Sequence, residues 1–463
     1  MPADSAGATR RTALAVALAV AGSPAACRKT QDVPVAVDAG SNAPAADAGV
    51  VQSASAVVGP RCRPEDTSVA MDEARGADVE IGDAVPTANA YALGAVHRTA
   101  QGRVAAVMQI SRALDTGSSP DASGEPARWL DLAPTLGDAP PPLLVPRPGS
   151  PGADLVAAAY LRGGGGIDRG AARNLALYAI SLASWAGAPP QPFLIVPQQH
   201  DDSLAFDLAF AGSSGVVVWD EGAAPSRGVI RALALEGEAG LAVAHDISPP
   251  ESDAELPKIE PDGSGFVAMW IARRPEPTRP FDAAEPEVPG ETRSFGWLES
   301  VRLDARGAVA GPVRALTAAS GHVSAYDVVA IASPEHALVV VARDDGESVD
   351  GSGGALVRVR IVDDLPESPV EYQSDGLGRG APAFVEGSGS FLAWVGPAEQ
   401  ARLLSLDRSG APLGPPSAED TLNDARPLRV LGGPATAGAS ARLLVAASTG
   451  TGAALRVVVC RRP

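Results

Sequence analysis

The stretch Asp262–Arg273, DGSGFVAMWIAR, decides the fold, because it is one copy of a unit that recurs to the C-terminus. Each copy has a turn of small residues followed by an apolar run that ends on an aromatic or aliphatic residue. Self-similarity with a period of about 40–50 residues is typical of propellers and related arrays. The other copies are Ser214–Trp219, His336–Val341, Gly389–Trp394 and Arg442–Ala447.

A second recurring piece follows the apolar run in several units. Leu303–Pro312 and Leu406–Pro415 share the pattern Leu-Asp-x-x-Gly-x-x-x-Gly-Pro. Asp and Gly favour tight turns, and Pro suits an outer strand, whose open edge needs no N–H donor. We therefore interpret the repeated aspartates as turn residues and expect a hairpin at each site.

Together these pieces give four strands per unit, so we expect an all-β chain that forms a β-propeller of about seven four-stranded blades. Gly149–Ser203 is the poorest copy, because no clear strand precedes its apolar run Leu155–Arg162 and Ala171–Ala186 would suit a helix as well as a strand. A six-bladed ring with an irregular insertion is the alternative. The other expected units are Thr87–Pro148, Leu204–Glu255, Leu256–Val323, Ser324–Arg379, Gly380–Asp424 and Ala425–Pro463. Three tryptophans recur with the repeat and are expected to pack between blades: Trp219, Trp270 and Trp394.

The last unit stops before an outer strand, and an N-terminal strand is expected to complete it. Val79–Ile81 has the alternation of a strand and precedes the first complete unit. Pairing it with the last unit would close the ring and remove the open sheet edges. Cys62 and Cys460 lie near these two segments, and in an oxidising compartment we expect a disulfide between them. Two buried free thiols are the alternative.

The N-terminus has the pattern of an exported protein. Arg10 and Arg11 precede a short apolar run, and small residues then lead to Cys27, so residues 1–27 are predicted to be a signal peptide. Pro24-Ala25-Ala26-Cys27 resembles a lipobox, the acylation site of bacterial lipoproteins, although Pro24 stands where an aliphatic residue is usual. We predict lipidation at Cys27, with secretion without a lipid as the alternative. Residues 28–60 are expected to be a disordered tether, and residues 61–463 the propeller.

Charge and missing motifs exclude several functions. The formal net charge is −18 and Lys and Arg form no cluster, so nucleic acid is not an expected partner. The sequence contains no G-x-S-x-G elbow, phosphate-binding loop, H-E-x-x-H or C-x-x-C motif. We therefore predict neither a cofactor nor a metal, and among 55 acidic residues no catalytic pair stands out.

Three histidines occupy matching positions in adjacent units. His200-Asp201 and His245-Asp246 each follow an outer strand, and His322 stands at the comparable place in the next unit. In a propeller these connections return on one face of the ring, so these residues are our candidate binding residues. Solvated turn residues are the alternative.

The repeats, the signal with Cys27 and the Ala- and Pro-rich tether together resemble secreted β-propeller lipoproteins of GC-rich bacteria. The resemblance covers Arg61–Pro463. It implies a β-propeller, export of the protein, and attachment to the membrane only through a lipid anchor, and it implies no catalytic residue. Our first hypothesis is a non-enzymatic binding or scaffold module of the cell envelope, with an envelope protein or polysaccharide as its partner. The alternative is a carbohydrate-active hydrolase or lyase that uses acidic residues on the central face of the ring.

Overall fold

Short apolar runs bounded by glycine and proline turns form β-strands throughout the computed structural model. All of the described residues belong to one unit, Ala56–Pro463. None of them forms a helix with the length and apolar character that crossing a membrane requires. The predicted signal peptide, Cys27 and the tether lie outside the described residues. The structure describes residues 61–461 except 71–78, 87–89, 112–127, 149–153, 162–172, 183–188, 199–202, 225–226, 236–242, 275–294, 331–336, 347–353, 373–376, 378–381, 385–390, 396–400, 408, 419–428, 433–439 and 450–451.

The strands pair into four-stranded antiparallel sheets, which confirms an all-β fold with four strands per unit. After β1 (Arg61–Ala70), sheet 1 holds β2 (Glu80–Pro86), β3 (Ala90–Thr99), β4 (Gly102–Ser111) and β5 (Arg128–Pro134). Sheet 2 holds β6 (Leu143–Pro146), β7 (Leu155–Leu161), β8 (Arg173–Ile180) and β9 (Leu194–Gln198). Sheet 3 holds β10 (Phe206–Ala211), β11 (Ser214–Ala224), β12 (Arg227–Leu235) and β13 (His245–Asp246). Sheet 4 holds β14 (Asp253–Asp262), β15 (Gly265–Arg273), β16 (Gly296–Leu303) and β17 (Arg314–Ala315).

The remaining sheets follow the same plan. Sheet 5 holds β18 (Val323–Ala330), β19 (Leu338–Asp344), β20 (Ala355–Val362) and β21 (Leu365–Pro366), and β22 (Val370–Tyr372) also pairs with β20. Sheet 6 holds β23 (Ala383–Phe384), β24 (Phe391–Val395), β25 (Ala401–Ser405) and β26 (Ser417–Ala418). Sheet 7 joins β27 (Arg429–Gly432), β28 (Ser440–Thr449) and β29 (Gly452–Arg461) to β1, in the order β1-β29-β28-β27.

The second strand of a sheet carries an unbroken apolar run because neighbouring sheets cover both of its faces. In β11, Val218 lies in a core shared with sheet 4, whereas Trp219 lies in a core shared with sheet 2. In β15, Trp270 faces sheet 3 and Met269 faces sheet 5. Burial on both faces produces an unbroken apolar run instead of alternation. The three tryptophans are buried between sheets as predicted, Trp394 in the core between sheets 5 and 6.

The repeated Leu-Asp-x-x-Gly pattern forms the turn that the sequence predicts. Asp304 Oδ1 accepts hydrogen bonds from the backbone N–H groups two and four residues further on, at 2.8 and 2.9 Å. Asp407 Oδ1 accepts the equivalent bonds at 2.7 and 2.9 Å. Gly307 and Gly410 both have a φ of 74°, where a side chain would be strained. These aspartates are turn residues.

One expectation about the ends of the units is wrong, and a question that the sequence left open in the second unit is decided. Val79–Ile81 does not complete the last unit, because Glu80–Pro86 is the first strand of sheet 1 and pairs with β3. The strand that pairs with the last strand of the chain is β1, which lies upstream. The second unit does have a first strand, β6, and its β8 is a strand throughout. Prolines flank and end β6, so its sequence does not show the alternation of apolar and polar residues from which a strand is predicted.

Candidate functional site

Charged side chains interrupt the apolar pattern on the first strands of three successive sheets. These strands are β10, β14 and β18, and each contacts the next. Leu208, Ile259 and Val328 on these strands are buried in the cores between sheets. Since successive side chains of a strand point to opposite faces, their charged neighbours lie outside those cores. Four charged side chains, all half-buried, form what we call the carboxylate cluster: Asp207, Lys258, Glu260 and Asp327.

The two aspartates of the cluster bind the backbone of the following sheet. Asp207 Oδ2 accepts a hydrogen bond from the N–H of Ile259 at 2.9 Å. Asp327 Oδ2 accepts one from the N–H of Phe384 at 2.7 Å. The same contact therefore joins sheet 3 to sheet 4 and sheet 5 to sheet 6. Each aspartate is fixed in place by a first strand other than its own.

Lys258 supplies the positive charge of the cluster. Its Nζ lies 2.5 Å from Asp327 Oδ1, with 36% of the lysine side chain and 17% of the aspartate side chain exposed. A partly buried pair of this kind is screened less by salt than a surface pair. The Lys258 ammonium is thus ion-paired with the Asp327 carboxylate.

Glu260 is the carboxyl group of the cluster whose pKa is strongly raised. The pKa of Glu260 is raised from 4.5 to about 8, first by burial and then by the charges of Asp207 and Asp327, while Lys258 acts in the opposite direction. Burial disfavours the charged form of a carboxyl group, and nearby like charges add to that effect. At neutral pH the Glu260 carboxyl is therefore mostly protonated. A protonated carboxyl group beside ionised ones is the arrangement from which an enzyme can donate a proton.

A strained bulge lies beside the cluster. The β14–β15 register shifts between Glu255 and Lys258, and Leu256 in this bulge has a φ of 54°. Asp220 Oδ2 accepts a hydrogen bond from the Leu256 N–H at 3.1 Å, and the Tyr326 hydroxyl donates to the Leu256 carbonyl at 2.8 Å. Burial raises the pKa of Tyr326 well above its usual range, so the hydroxyl stays a donor. Contacts from the sheets on both sides therefore hold Leu256 in a conformation that costs about 1–3 kcal/mol.

Two of the candidate binding histidines can be located. His245 lies on β13, the outermost strand of sheet 3, and its Nε2 donates to the Gly307 carbonyl at 2.8 Å. His322 is buried directly before β18, and its ring stacks on Phe295 with centroids 5.2 Å apart. Asp246 lies beside His245 on β13. The two histidines thus lie at opposite ends of the strand order, one outermost and one next to a first strand.

The remaining candidate residues are not described at the level of side chains. His200 and Asp201 lie outside the described residues, so the shared binding surface stays a prediction. Within the described part of the chain there is no group of three or more side chains that could hold a metal. Cys62 and Cys460 are partners in the β1–β29 register, at the level of the backbone.

The contact made by His245 recurs two sheets further on. The Tyr372 hydroxyl donates to the Gly410 carbonyl at 2.7 Å, and Gly410 occupies the place in its turn that Gly307 occupies. A polar side chain near the outer edge of one sheet thus binds the turn of the following sheet in both places. This contact joins neighbouring sheets, whatever else His245 binds.

Sequence reasoning missed the carboxylate cluster, although two signals were present. Phe206-Asp207-Leu208 and Tyr326-Asp327-Val328 repeat an aromatic–Asp–aliphatic triplet. Lys258, placed inside a strand, is one of only two lysines in the chain. Nothing in the sequence alone marks Glu260 among the other acidic residues.

Comparisons with known proteins give similarities of fold. No family model matches the chain, and no curated protein matches it. A solved ulvan lyase of a new polysaccharide lyase family is similar with a TM-score of 0.49 and 8% identity, over 82% of this chain and 94% of that one. A second polysaccharide lyase gives a TM-score of 0.44 and 7% identity, over 82% and 89%. An exo-1,5-α-L-arabinanase from a bovine ruminal metagenomic library gives 0.31 and 11%, over 63% and 98%.

These similarities correct the functional prediction. Two polysaccharide lyases and an arabinanase are among the solved structures that resemble this chain, and this finding favours the alternative, a carbohydrate-active hydrolase or lyase, over the first hypothesis of a non-enzymatic binding or scaffold module. Of the predicted resemblance to secreted propeller lipoproteins, the comparisons support the propeller-like fold, and the lipoprotein part stays a prediction. At such low identity the likeness carries no residue of those enzymes over to this chain.

Proposed function

We propose that this protein is a carbohydrate-active hydrolase or lyase whose centre is the carboxylate cluster. One arrangement carries the proposal: Glu260, Asp207 and Asp327 come together from three successive first strands, where burial and the two aspartates raise the pKa of Glu260 to about 8. Cleavage of a glycosidic bond by either reaction needs one group that donates a proton and one that accepts a proton. Glu260 is the proposed donor, and Asp207 or Asp327 the acceptor.

The proposed residues supply the proton donor and the proton acceptor that each reaction needs. In hydrolysis, the Glu260 proton passes to the glycosidic oxygen as its bond to the anomeric carbon breaks, while an aspartate accepts a proton from the water whose oxygen bonds to that carbon. In elimination, the aspartate accepts the proton on the ring carbon next to a uronate carboxyl group. A carbon–carbon double bond then forms, and Glu260 protonates the leaving oxygen.

We further propose that the sheets are seven blades of a closed ring, with β1 completing the last blade. The support is a chain of contacts between first strands: β2 with β6, β6 with β10, β10 with β14, β14 with β18, β18 with β23, β23 with β27, and β27 with β2. The pairing of β1 with β29 adds a fourth strand to sheet 7. In such a ring the first strands surround the central axis, where ligands of propellers have access. The cluster would then lie at the centre.

We also propose that the protein is exported and that a disulfide joins Cys62 to Cys460. Directly opposed residues of an antiparallel pair have Cα atoms about 4.5–5.5 Å apart, and a disulfide needs about 4.4–6.8 Å. Cys62 and Cys460 are opposed in this way. We propose that a protein disulfide of an oxidising compartment accepts the two electrons and two protons of their thiols. Cys27 would anchor the exported protein to the envelope through a lipid, or be absent from a secreted form.

Turnover of polysaccharides tests the enzymatic proposal. The wild-type protein is incubated at pH 6 with ulvan, arabinan and further plant and bacterial polysaccharides, and new reducing ends are counted. Glu260→Gln should lose activity by about 10²–10⁴-fold, because it keeps the shape of the side chain and removes the proton donor. Glu371→Gln is the matched control, since Glu371 is exposed on β22. Equal activity of Glu260→Gln and the wild type would refute the role of Glu260.

A further inference from the structure

We propose that the carboxylate cluster takes an uncharged glycan and cleaves it by hydrolysis, not a uronate polysaccharide by elimination. This inference rests on the proposed function and narrows its substrate class. It depends on the balance of charge around β14, on the pairing of Lys258 and on the exposed side chain of Leu256.

The balance of charge around β14 is negative. Asp207 and Asp327 border Glu260, and Asp220 binds the bulge at Leu256. Lys258 is the cation that counters these charges at Glu260. The whole chain carries a formal net charge of −18, so the long-range field has the same sign. Like-charge approach in a partly buried site is unfavourable, so this field opposes the binding of a polyanion.

The cation that elimination would need is already paired. Removing a proton next to a uronate carboxylate places further negative charge on that group, and a positive charge must stabilise it. Lys258 Nζ lies 2.5 Å from Asp327 Oδ1. Turning Lys258 towards a uronate would leave Asp327, with 17% of its side chain exposed, without its ionic partner. Hydrolysis of an uncharged glycan leaves this pair intact.

Leu256 offers a surface suited to an uncharged sugar. Its side chain is 41% exposed although its backbone is held in the left-handed region. Strained residues persist where surrounding contacts fix them, and they concentrate at binding sites. Leu256 is two residues from Lys258 along β14, and its carbonyl binds Tyr326, the residue before Asp327, so this exposed apolar residue lies beside the cluster. An aliphatic side chain there fits the C–H face of a sugar ring.

Two sets of polysaccharides test the inference. The uncharged set is arabinan, laminarin and galactan, and the uronate set is ulvan, alginate and pectate. Reducing ends report any cleavage, and ultraviolet absorbance of unsaturated uronate products reports elimination. We expect cleavage in the uncharged set with no unsaturated product. Leu256→Gly should raise KM about tenfold at unchanged kcat, whereas Leu365→Gly, at a leucine exposed elsewhere on sheet 5, should leave KM unchanged.

Each other outcome has a distinct meaning. Unsaturated products from the uronate set would overturn the substrate inference and leave the proposed function standing. An unchanged KM in Leu256→Gly would remove the role of Leu256 in binding. Turnover of neither set would overturn both proposals.

Discussion

Glu260→Gln should abolish a pH-dependent loss of stability that the wild-type protein shows between about pH 4.5 and pH 8. The pKa of Glu260 is raised from 4.5 in the unfolded chain to about 8 in the folded one. The folded state therefore binds this proton more tightly than the unfolded state does. Below about pH 4.5 both states hold the proton, and the group costs no stability. As the pH rises towards 8 the unfolded state alone loses it, so stability falls.

The size of the effect follows from the shift in pKa. A shift of one unit corresponds to about 1.4 kcal/mol, so the move from 4.5 to about 8 sets a ceiling of about 5 kcal/mol. Glu260 is half-buried, and water that reaches it reduces the penalty. We expect the free energy of unfolding of Glu260→Gln to lie within about 1 kcal/mol of that of the wild type at pH 5, and to exceed it by about 2–5 kcal/mol at pH 9.

Guanidinium unfolding at pH 5, 7 and 9, followed by the fluorescence of the buried tryptophans, measures this difference. Glu371→Gln is the control, and its difference from the wild type should not depend on pH. A difference between Glu260→Gln and the wild type that stays constant from pH 5 to pH 9 would refute the reasoning. Glu260 would then ionise as an ordinary surface carboxyl group does.

Two further predictions concern the fold. A Cβ atom at Gly94 would lie 1.9 Å from the Pro142 carbonyl oxygen, whereas one at Gly137 meets nothing within 4 Å. Gly94→Ala should therefore lower the free energy of unfolding by more than about 3 kcal/mol, and Gly137→Ala by less than about 1 kcal/mol. Equal melting temperatures of the two variants would contradict the packing of β3 against the link to sheet 2. Peptide mapping without reductant should recover Cys62 linked to Cys460, and reduction should cost about 2–4 kcal/mol of stability. Free thiols at both positions in protein from an oxidising compartment would end the disulfide proposal.

The sequence predicts the repeated architecture well because its strongest signals are local. The apolar run that ends at Trp270 is buried on both faces, and the turn at Asp304 is closed by its own side chain. Both features can be predicted from residues close together in the sequence and from the rule that a strand covered on both faces is apolar. The strands that sequence reasoning missed have no such signal. β1, RCRPEDTSVA, does not alternate, and its pairing partner is the last strand of the chain.

The candidate site escaped prediction for a related reason. The pKa of Glu260 becomes unusual only when the fold buries this side chain and brings Asp207 and Asp327, from the sheets on either side, close to it. That proximity is a property of the stacked first strands and not of any local pattern. The aromatic–Asp–aliphatic triplets could have identified the two aspartates, but not the carboxyl group between them.

The pH dependence of kcat/KM on a polysaccharide that the protein cleaves tests the central claim most directly. A proton donor with a pKa of about 8 predicts that kcat/KM falls as the pH rises through that value. Whichever of Asp207→Asn and Asp327→Asn retains activity should move this fall to lower pH, because both charges help to raise the pKa of Glu260. A fall at about pH 8 that remains in place in that variant, or no fall up to pH 9, would contradict the account.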